Sequence, residues 1–218
     1  MIDHDKKIIF IHIPKCAGTS VENIFNVDRF LSGRSGGNID MFIGPNRDPN
    51  NGMPFGFQMQ HGTMLEIQKY HPNNLRNYFK FTFVRNPWSR LVSEYFWRIN
   101  SKPHKELFIK KMNFKSFACN ISVIEKKGLG YYTHLRSQHS FTHDNNGKNM
   151  MDFIGKTENF QQDFNKVCDK IGIPRQQLPH ENKNKHKHYT EYYDDETREI
   201  VAEKYARDIE LFDYKFGE

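Results

Sequence analysis

The segment that most constrains the fold is residues 7–20, where an apolar run leads through a short loop into a helical pattern. Residues 7–13 are β-branched and almost continuously apolar, which is typical of a buried parallel strand. Pro14 ends this strand, and residues 18–25 predict a helix. A strand, a tight loop and a helix in this order form the first unit of many nucleotide folds.

The loop between this strand and this helix carries a cation, a glycine and two hydroxyls, in the order Pro14, Lys15, Cys16, Ala17, Gly18, Thr19, Ser20. A helix N-terminus offers N–H groups and a partial positive charge, Gly18 lets an oxyanion approach the backbone, and Lys15 adds a full charge. The loop therefore predicts a phosphate or phosphosulfate site. It is not a Walker A loop, because Lys15 precedes Gly18. Taken alone, the segment also fits an ordinary turn with a surface lysine.

A second strand and helix follow at residues 79–99. Phe79 to Val84 predict another buried strand, and Asn86-Pro87 supply an N-cap and a first-turn proline for a helix that reaches about Ile99.

Arg85 stands at the end of this strand, and Ser93 lies roughly 10 Å along the helix axis at 1.5 Å per residue. Arg90 and Ser93 are three residues apart and share a helix face. A guanidinium and a hydroxyl suit a second phosphate. The alternative is a surface ion pair for Arg85 and a solvated Ser93.

The remaining pattern alternates helices, one strand and long polar stretches. It predicts loops or irregular chain at 29–60 and 131–150, helices at 64–70, 105–126, 158–171 and 195–205, and a short strand at 152–155. Residues 180–193 are basic and aromatic. We see no linker, so the sequence predicts one α/β domain over residues 1–218, with a parallel sheet flanked by helices.

Composition limits the partners and the compartment. The net charge is +6, which favours anionic partners such as nucleic acid, membranes, acidic glycans or a phosphorylated cofactor. The cysteines Cys16, Cys119 and Cys168 are odd in number and form no CxxC pair, which favours a reducing compartment. No signal peptide pattern is evident, and no stretch approaches the roughly 18 apolar residues of a spanning helix. We therefore expect a soluble, cytoplasmic chain.

Together, the two strand–loop–helix segments resemble the sulfotransferases that use 3'-phosphoadenosine 5'-phosphosulfate (PAPS). The shared motifs are Pro-Lys-x-x-Gly-Thr-Ser after the first strand and Arg-x-Pro-x-x-Arg-x-x-Ser-x-Tyr after the later one. The resemblance continues in residues 154–160 and 182–193, and it is closest to the branch of Golgi carbohydrate sulfotransferases and bacterial relatives. We expect no membrane anchor and no stem of the kind that the Golgi members carry, so their location and acceptor are not carried over.

The resemblance implies roles for these residues and a P-loop-like fold that needs no metal. The loop from Pro14 to Ser20, with Lys15 as its cation, would hold the 5'-phosphosulfate, and Arg85 with Ser93 would hold the 3'-phosphate. Lys183 and Lys185 would close over the cofactor phosphates or meet an anionic acceptor; a plain solvated loop fits them equally well.

His61 is the candidate general base. It stands in His61-Gly62-Thr63, between the two cofactor motifs, where similar carbohydrate sulfotransferases carry His-Gly or His-Ala. A histidine can take a proton from an attacking hydroxyl at neutral pH. His139 and His143 are spaced like zinc ligands, but the glutamate of H-E-x-x-H is missing, so we expect no zinc site.

Two alternatives remain at this stage. A P-loop kinase or NTPase would need a Walker A lysine and a magnesium-binding acid. A nucleic-acid-binding module would use the aromatic and basic residues of 180–193 to stack bases and bind phosphates. The favoured interpretation is an enzyme that transfers a sulfuryl group from PAPS to a hydroxyl, with a carbohydrate as the acceptor.

Overall fold

The structure is a computed structural model, and it describes residues 1–25, 39–40, 61–70, 75–100, 109–126, 132–178 and 187–218. The chain divides into two compact units. The first comprises Met1–Val84 and Ser140–Glu181, and the second comprises Arg85–His139 and Asn182–Glu218. The single domain expected over residues 1–218 stays a prediction.

The first unit contains a mixed sheet. Its described strands are β1 (Ile2–Asp3), β2 (Ile8–Ile11), β3 (Ile39–Asp40), β4 (Phe79–Val84) and β5 (Phe153–Lys156), in the order β3-β1-β2-β4-β5. The strands β2, β4 and β5 are parallel, and β1 is antiparallel to both β2 and β3. The α/β class with a parallel sheet is therefore confirmed, and two short antiparallel strands extend it at one edge.

Within the described ranges the structure has eight α-helices. These are α1 (Gly18–Ile24), α2 (Met64–Tyr70), α3 (Pro87–Asn100), α4 (Phe114–Lys126), α5 (His139–Thr142), α6 (Phe160–Ile171), α7 (Asp195–Lys204) and α8 (Ala206–Phe212). None of the helices in the part of the chain described above is long and apolar enough to cross a membrane.

The core of the first unit lies between the parallel strands and helices α1 and α6. All four residues of β2 are buried, which explains why its sequence is continuously apolar rather than alternating. Phe10 of β2 lies opposite Phe81 of β4, with ring centroids 5.2 Å apart. Helix α1 contributes Val21 to this core, helix α6 contributes Phe164 and Val167, and Phe25 follows directly after α1.

The second unit is helical, and aromatic side chains fill much of its core. Its buried cluster contains Trp88, Tyr95, Phe114, Phe117, Tyr189 and Tyr205, together with smaller apolar residues of α3, α4 and α7. The predicted N-cap of α3 is confirmed, because Asn86 Oδ1 accepts hydrogen bonds from the backbone N–H groups of Trp88 and Ser89.

A buried ionic cluster lies inside the second unit. Glu94 Oε1 accepts from Arg98 Nε at 2.6 Å, and Glu94 Oε2 accepts from His134 Nδ1 at 2.9 Å. The exposed fraction of these three residues is 7% or less. A carboxylate with two nitrogen partners avoids the cost of an unpaired buried charge.

Several predicted boundaries differ from the observed ones. The strand predicted at 152–155 lies at Phe153–Lys156, and the helical stretch 105–126 contains a 3₁₀ helix at Ile109–Lys111 before α4. The stretch 131–150, predicted to be irregular, contains a 3₁₀ helix at Tyr132–Leu135 and helix α5. Most of the loop predicted at 29–60 lies outside the described residues.

The C-terminal helix was predicted incompletely. Helix α7 ends at Lys204, one residue before the predicted end at 205. A further helix, α8, begins at Ala206 and was not predicted. The break occurs at Tyr205, whose φ of −110° and ψ of 23° lie outside the helical region.

A capping box at the start of α2 gives a stability test. Thr63 Oγ1 accepts from the Glu66 N–H at 3.2 Å, and Glu66 Oε2 accepts from the Thr63 N–H at 2.7 Å. We expect Thr63→Ala to lower the free energy of unfolding by about 1 kcal/mol in urea titrations. Thr63→Ser keeps the hydroxyl and should lose much less; equal losses for the two variants would contradict the capping role.

Candidate active site

The loop after β2 has an unusual backbone. Lys15 and Ala17 both have positive φ, of 66° and 59°, although neither is glycine. Such conformations cost of order 1–3 kcal/mol each and cluster at functional sites. Left-handed residues in a tight turn are also a feature of backbone concavities that bind anions. The backbone of this loop is therefore compatible with the predicted phosphosulfate site.

The side chains of this loop differ in exposure. Lys15, Ala17 and Thr19 are partly exposed, whereas Cys16 and Ser20 are buried. Cys16 Sγ donates to the Pro14 carbonyl oxygen at 3.6 Å, so Cys16 is the small buried residue that its position allows. The cation and one of the two hydroxyls of the loop thus reach its surface.

Gly18 is required by close packing against a histidine. A Cβ atom placed on Gly18 would lie 2.2 Å from Cδ2 and 2.3 Å from Nε2 of His12. Real Cβ contacts are never so short, so no larger residue fits unless His12 moves. The sequence suggested that Gly18 lets an oxyanion approach the backbone. The structure shows that the missing side chain also leaves room for the imidazole ring of His12.

In the structure, His61 contacts the same histidine, His12. His61 Nδ1 donates to the carbonyl oxygen of His12 at 2.9 Å, and the two imidazole rings meet edge to face with centroids 4.7 Å apart. Because a carbonyl oxygen only accepts hydrogen bonds, Nδ1 carries the proton in the neutral ring. Nε2 is then the basic nitrogen. The candidate base therefore contacts His12, which precedes Lys15 by three residues in the chain.

A buried carboxylate completes this cluster, and the sequence did not point to it. His12 Nδ1 donates to Glu22 Oε1 at 2.6 Å, and Glu22 is fully buried in α1. The available signals were a histidine at the end of an apolar run and a glutamate between Val21 and Ile24. Their separation of ten residues matches no motif, so only the folding of α1 back against β2 reveals the pair.

In the second unit, Arg85 is held at both its backbone and its side chain. Its backbone N–H donates to Gln138 Oε1 and its carbonyl accepts from Gln138 Nε2, both at 2.8 Å. Arg85 Nε donates to Ser89 Oγ at 3.0 Å. Ser89 and Ser93 are four residues apart on α3 and share one helix face. The guanidinium therefore rests on the face that carries Ser93, whose exposed fraction is 7%.

Gln138 is itself positioned by a buried carboxylate. Asp208 accepts from the backbone N–H groups of Gln138 and His139, at 2.6 and 2.8 Å, and from His139 Nδ1 at 2.8 Å. Gln138 and Asp208 are both fully buried. Sequence reasoning missed both residues, because they are 70 positions apart and become partners only through α8.

Arg90 has a structural role. Its guanidinium is buried and donates to the carbonyl oxygens of Arg136 and His134, at 2.9 and 2.8 Å. It also lies 6.0 Å from the ring centroid of Tyr205, whose pKa is raised by burial. Arg90 therefore stabilises the segment before α5, although helical spacing alone places it on the face of Ser93.

The remaining residues singled out in the sequence are two histidines, His139 and His143, and two lysines, Lys183 and Lys185. His139 pairs with Asp208, and His143 Nδ1 contacts Thr142 Oγ1 at 2.8 Å. Considering only residues that the structure describes, no group of three or more His, Cys, Asp and Glu is arranged to hold a metal ion. Lys183 and Lys185 lie outside the described residues.

Comparison with known proteins gives the family. The Sulfotransferase family matches residues 1–215. An uncharacterised protein of Archaeoglobus fulgidus is 33% identical over 102 residues, which cover 45% of this chain and 72% of that protein. Carbohydrate sulfotransferase 11 of Danio rerio is 32% identical over 95 residues, which cover 44% of this chain and 24% of that protein. No solved structure matches. Since the family match spans nearly the whole chain, this protein belongs to the sulfotransferase family.

Proposed function

We propose that this protein transfers a sulfuryl group from PAPS to a hydroxyl of a carbohydrate. Membership of the sulfotransferase family supports the reaction class. The similarity to carbohydrate sulfotransferase 11 of Danio rerio supports a carbohydrate as the acceptor. The net charge of +6 suits an anionic donor and would also suit an acidic glycan.

The observation that carries the proposal is the hydrogen bond from His61 Nδ1 to the carbonyl oxygen of His12. This bond leaves His61 with a basic Nε2 next to His12, two residues before the loop that begins at Pro14, and so supports the proposal. A base and a cation are the two groups that sulfuryl transfer to a hydroxyl requires, one for the proton and one for the leaving phosphate.

The residues of the loop fit the phosphosulfate end of PAPS. Lys15 is partly exposed, and Lys15 and Ala17 both have positive φ. PAPS would supply the sulfuryl group and depart as adenosine 3',5'-bisphosphate. Lys15 would bind the 5'-phosphosulfate together with Thr19 and Ser20, while Arg85 and Ser93 would bind the 3'-phosphate. Anchoring a remote phosphate aligns the reacting group and reduces the entropic part of the barrier.

In the proposed step, His61 Nε2 accepts the proton of the acceptor hydroxyl. The acceptor oxygen forms a bond to sulfur as the bond from sulfur to the phosphate oxygen breaks, and the electron pair of that bond leaves with the phosphate. Lys15 balances the charge that grows on this oxygen. Preorganised charge of this kind is usually the largest single contribution to catalysis.

Binding of adenosine 3',5'-bisphosphate is the direct test. A ligand that binds only the folded state stabilises it by RT ln(1 + [L]/Kd), or about 1.4 kcal/mol at ten times Kd. For a chain of this size we expect Tm to rise by about 3–6 °C without added metal. The measurement is a thermal melt with the bisphosphate, with AMP, and with ATP plus magnesium.

Two outcomes would redirect the assignment. A shift with ATP plus magnesium and none with millimolar bisphosphate would indicate a kinase or NTPase. Salt-sensitive binding of RNA without any bisphosphate shift would indicate a nucleic-acid-binding module.

A further inference from the structure

The pair His12 and Glu22 has no part in the transfer step proposed above, yet it is built into the site. Glu22 is fully buried, and His12 has an exposed fraction of 6%. The 2.6 Å hydrogen bond between His12 Nδ1 and Glu22 Oε1 joins the end of β2 to the buried face of α1. A buried carboxylate bound to an imidazole fixes the tautomer and the orientation of that ring.

The ring of His12 contacts both parts of the first unit that the mechanism uses. One edge, Cδ2 and Nε2, occupies the space that a Cβ atom on Gly18 of the Lys15 loop would fill. His61 lies against the same ring at a centroid distance of 4.7 Å and an interplanar angle of 85°. Displacing this ring would therefore disturb both the loop and the base.

The main chain of His12 makes the third contact, the carbonyl that accepts from His61 Nδ1. This bond selects the tautomer with the proton on Nδ1, whereas free imidazole side chains favour the proton on Nε2. Only the selected tautomer presents a basic Nε2. The position of the His12 residue thus decides which nitrogen of the neutral His61 ring can accept a proton.

We propose that His12 and Glu22 are positioning residues that hold His61 in its basic-Nε2 tautomer. Glu22 anchors the His12 ring, and the His12 ring and carbonyl orient His61. The catalytic meaning of this arrangement rests on the proposed function, but the tautomer itself is a property of the free protein.

The test measures the tautomer of His61 from ¹⁵N chemical shifts of histidine-labelled protein, with the signal assigned by its loss in His61→Ala. We expect the Nδ1–H tautomer in the wild type and in Glu22→Gln, because the amide oxygen can still accept from His12. Glu22→Leu should shift His61 towards the Nε2–H tautomer. It should also lower kcat about 10- to 100-fold, as expected for a misplaced catalytic group, with a much smaller change in KM for PAPS.

A second variant allows the proposal to be tested even if Glu22→Leu does not fold. His12→Asn retains an N–H donor near the position of Nδ1 but removes the ring beside His61, so it should also lose the Nδ1–H tautomer. Unchanged His61 shifts in either folded variant would overturn the proposal, as would equal losses of kcat in Glu22→Gln and Glu22→Leu. Because the shifts are measured without PAPS, a wild type that shows the tautomer but transfers no sulfate would refute the proposed function alone.

Discussion

Replacing His61 with alanine should lower turnover by about 10²- to 10⁴-fold, the usual range for loss of a general base. Binding of adenosine 3',5'-bisphosphate should stay nearly unchanged, because His61 acts on the acceptor hydroxyl rather than on a phosphate. The reason is structural as well as chemical: His61 Nδ1 donates to the His12 carbonyl, which leaves Nε2 as the proton acceptor. The measurement is single-turnover sulfate transfer with saturating PAPS, beside a calorimetric titration of the bisphosphate.

His4→Ala is the matched control for this experiment. His4 lies in the same unit and Nδ1 of its ring contacts Tyr78 Oη at 2.8 Å, but it precedes β2 whereas His61 lies beyond the end of that strand. Its replacement should leave turnover within a few-fold of the wild type. Near-normal turnover in His61→Ala would remove His61 from the mechanism, and equal losses in the two variants would indicate a general effect of histidine removal.

The sequence predicted the central strands and the helix α3 well, for a physical reason. Strand β2 is buried along its length and β4 over its last four residues, both are rich in β-branched and aromatic residues, and α3 begins with an N-cap and a proline. In these segments, the local residue preferences and the burial of the side chains favour the same secondary structure. The two-residue strands β1 and β3 were missed because their pairing depends on residues brought together by the fold rather than on any local pattern.

Residues of the candidate site could be predicted from the sequence where they belong to one short, continuous motif. The Lys15 loop and His61 follow from short motifs and from the resemblance they support. The pair of His12 and Glu22 does not, because it requires α1 to fold back against the end of β2. The same is true of Gln138 and Asp208, which fix the backbone of Arg85 from distant positions.

Arg90 shows the limit of reasoning from helical spacing. Residues three apart on a helix share a face, but spacing does not say what covers that face. In the structure the guanidinium is buried and bonded to two carbonyl oxygens. Arg85, five residues earlier and before the start of α3, has its Nε bonded to Ser89 and is only partly buried. Burial and hydrogen-bond partners therefore distinguish Arg90, which has a structural role, from Arg85, which we propose binds the 3'-phosphate.

This distinction leads to the second expected result. Arg85→Ala should weaken binding of adenosine 3',5'-bisphosphate by about 10- to 150-fold and binding of AMP far less, since AMP lacks only the 3'-phosphate. The range follows from about 1.5–3 kcal/mol for a hydrogen bond to a charged group, at about 1.4 kcal/mol per tenfold change. Ser93→Ala should act in the same direction, more weakly. The two losses need not add, because both groups would bind one phosphate. Calorimetric titration of both ligands into each variant measures the differences.

The control must separate a specific contact from a change in net charge. Arg207→Ala removes the same charge from the second unit, but the Arg207 side chain is 53% exposed and its Nη1 lies 3.8 Å from Oε2 of Glu210. It should leave the affinities for both ligands nearly unchanged, because exposed charges are screened by salt. If Arg85→Ala weakens binding of the bisphosphate and of AMP equally, Arg85 does not bind the 3'-phosphate. The assignment of PAPS as the donor would then rest on the Lys15 loop and His61, which do not distinguish PAPS from other phosphosulfates.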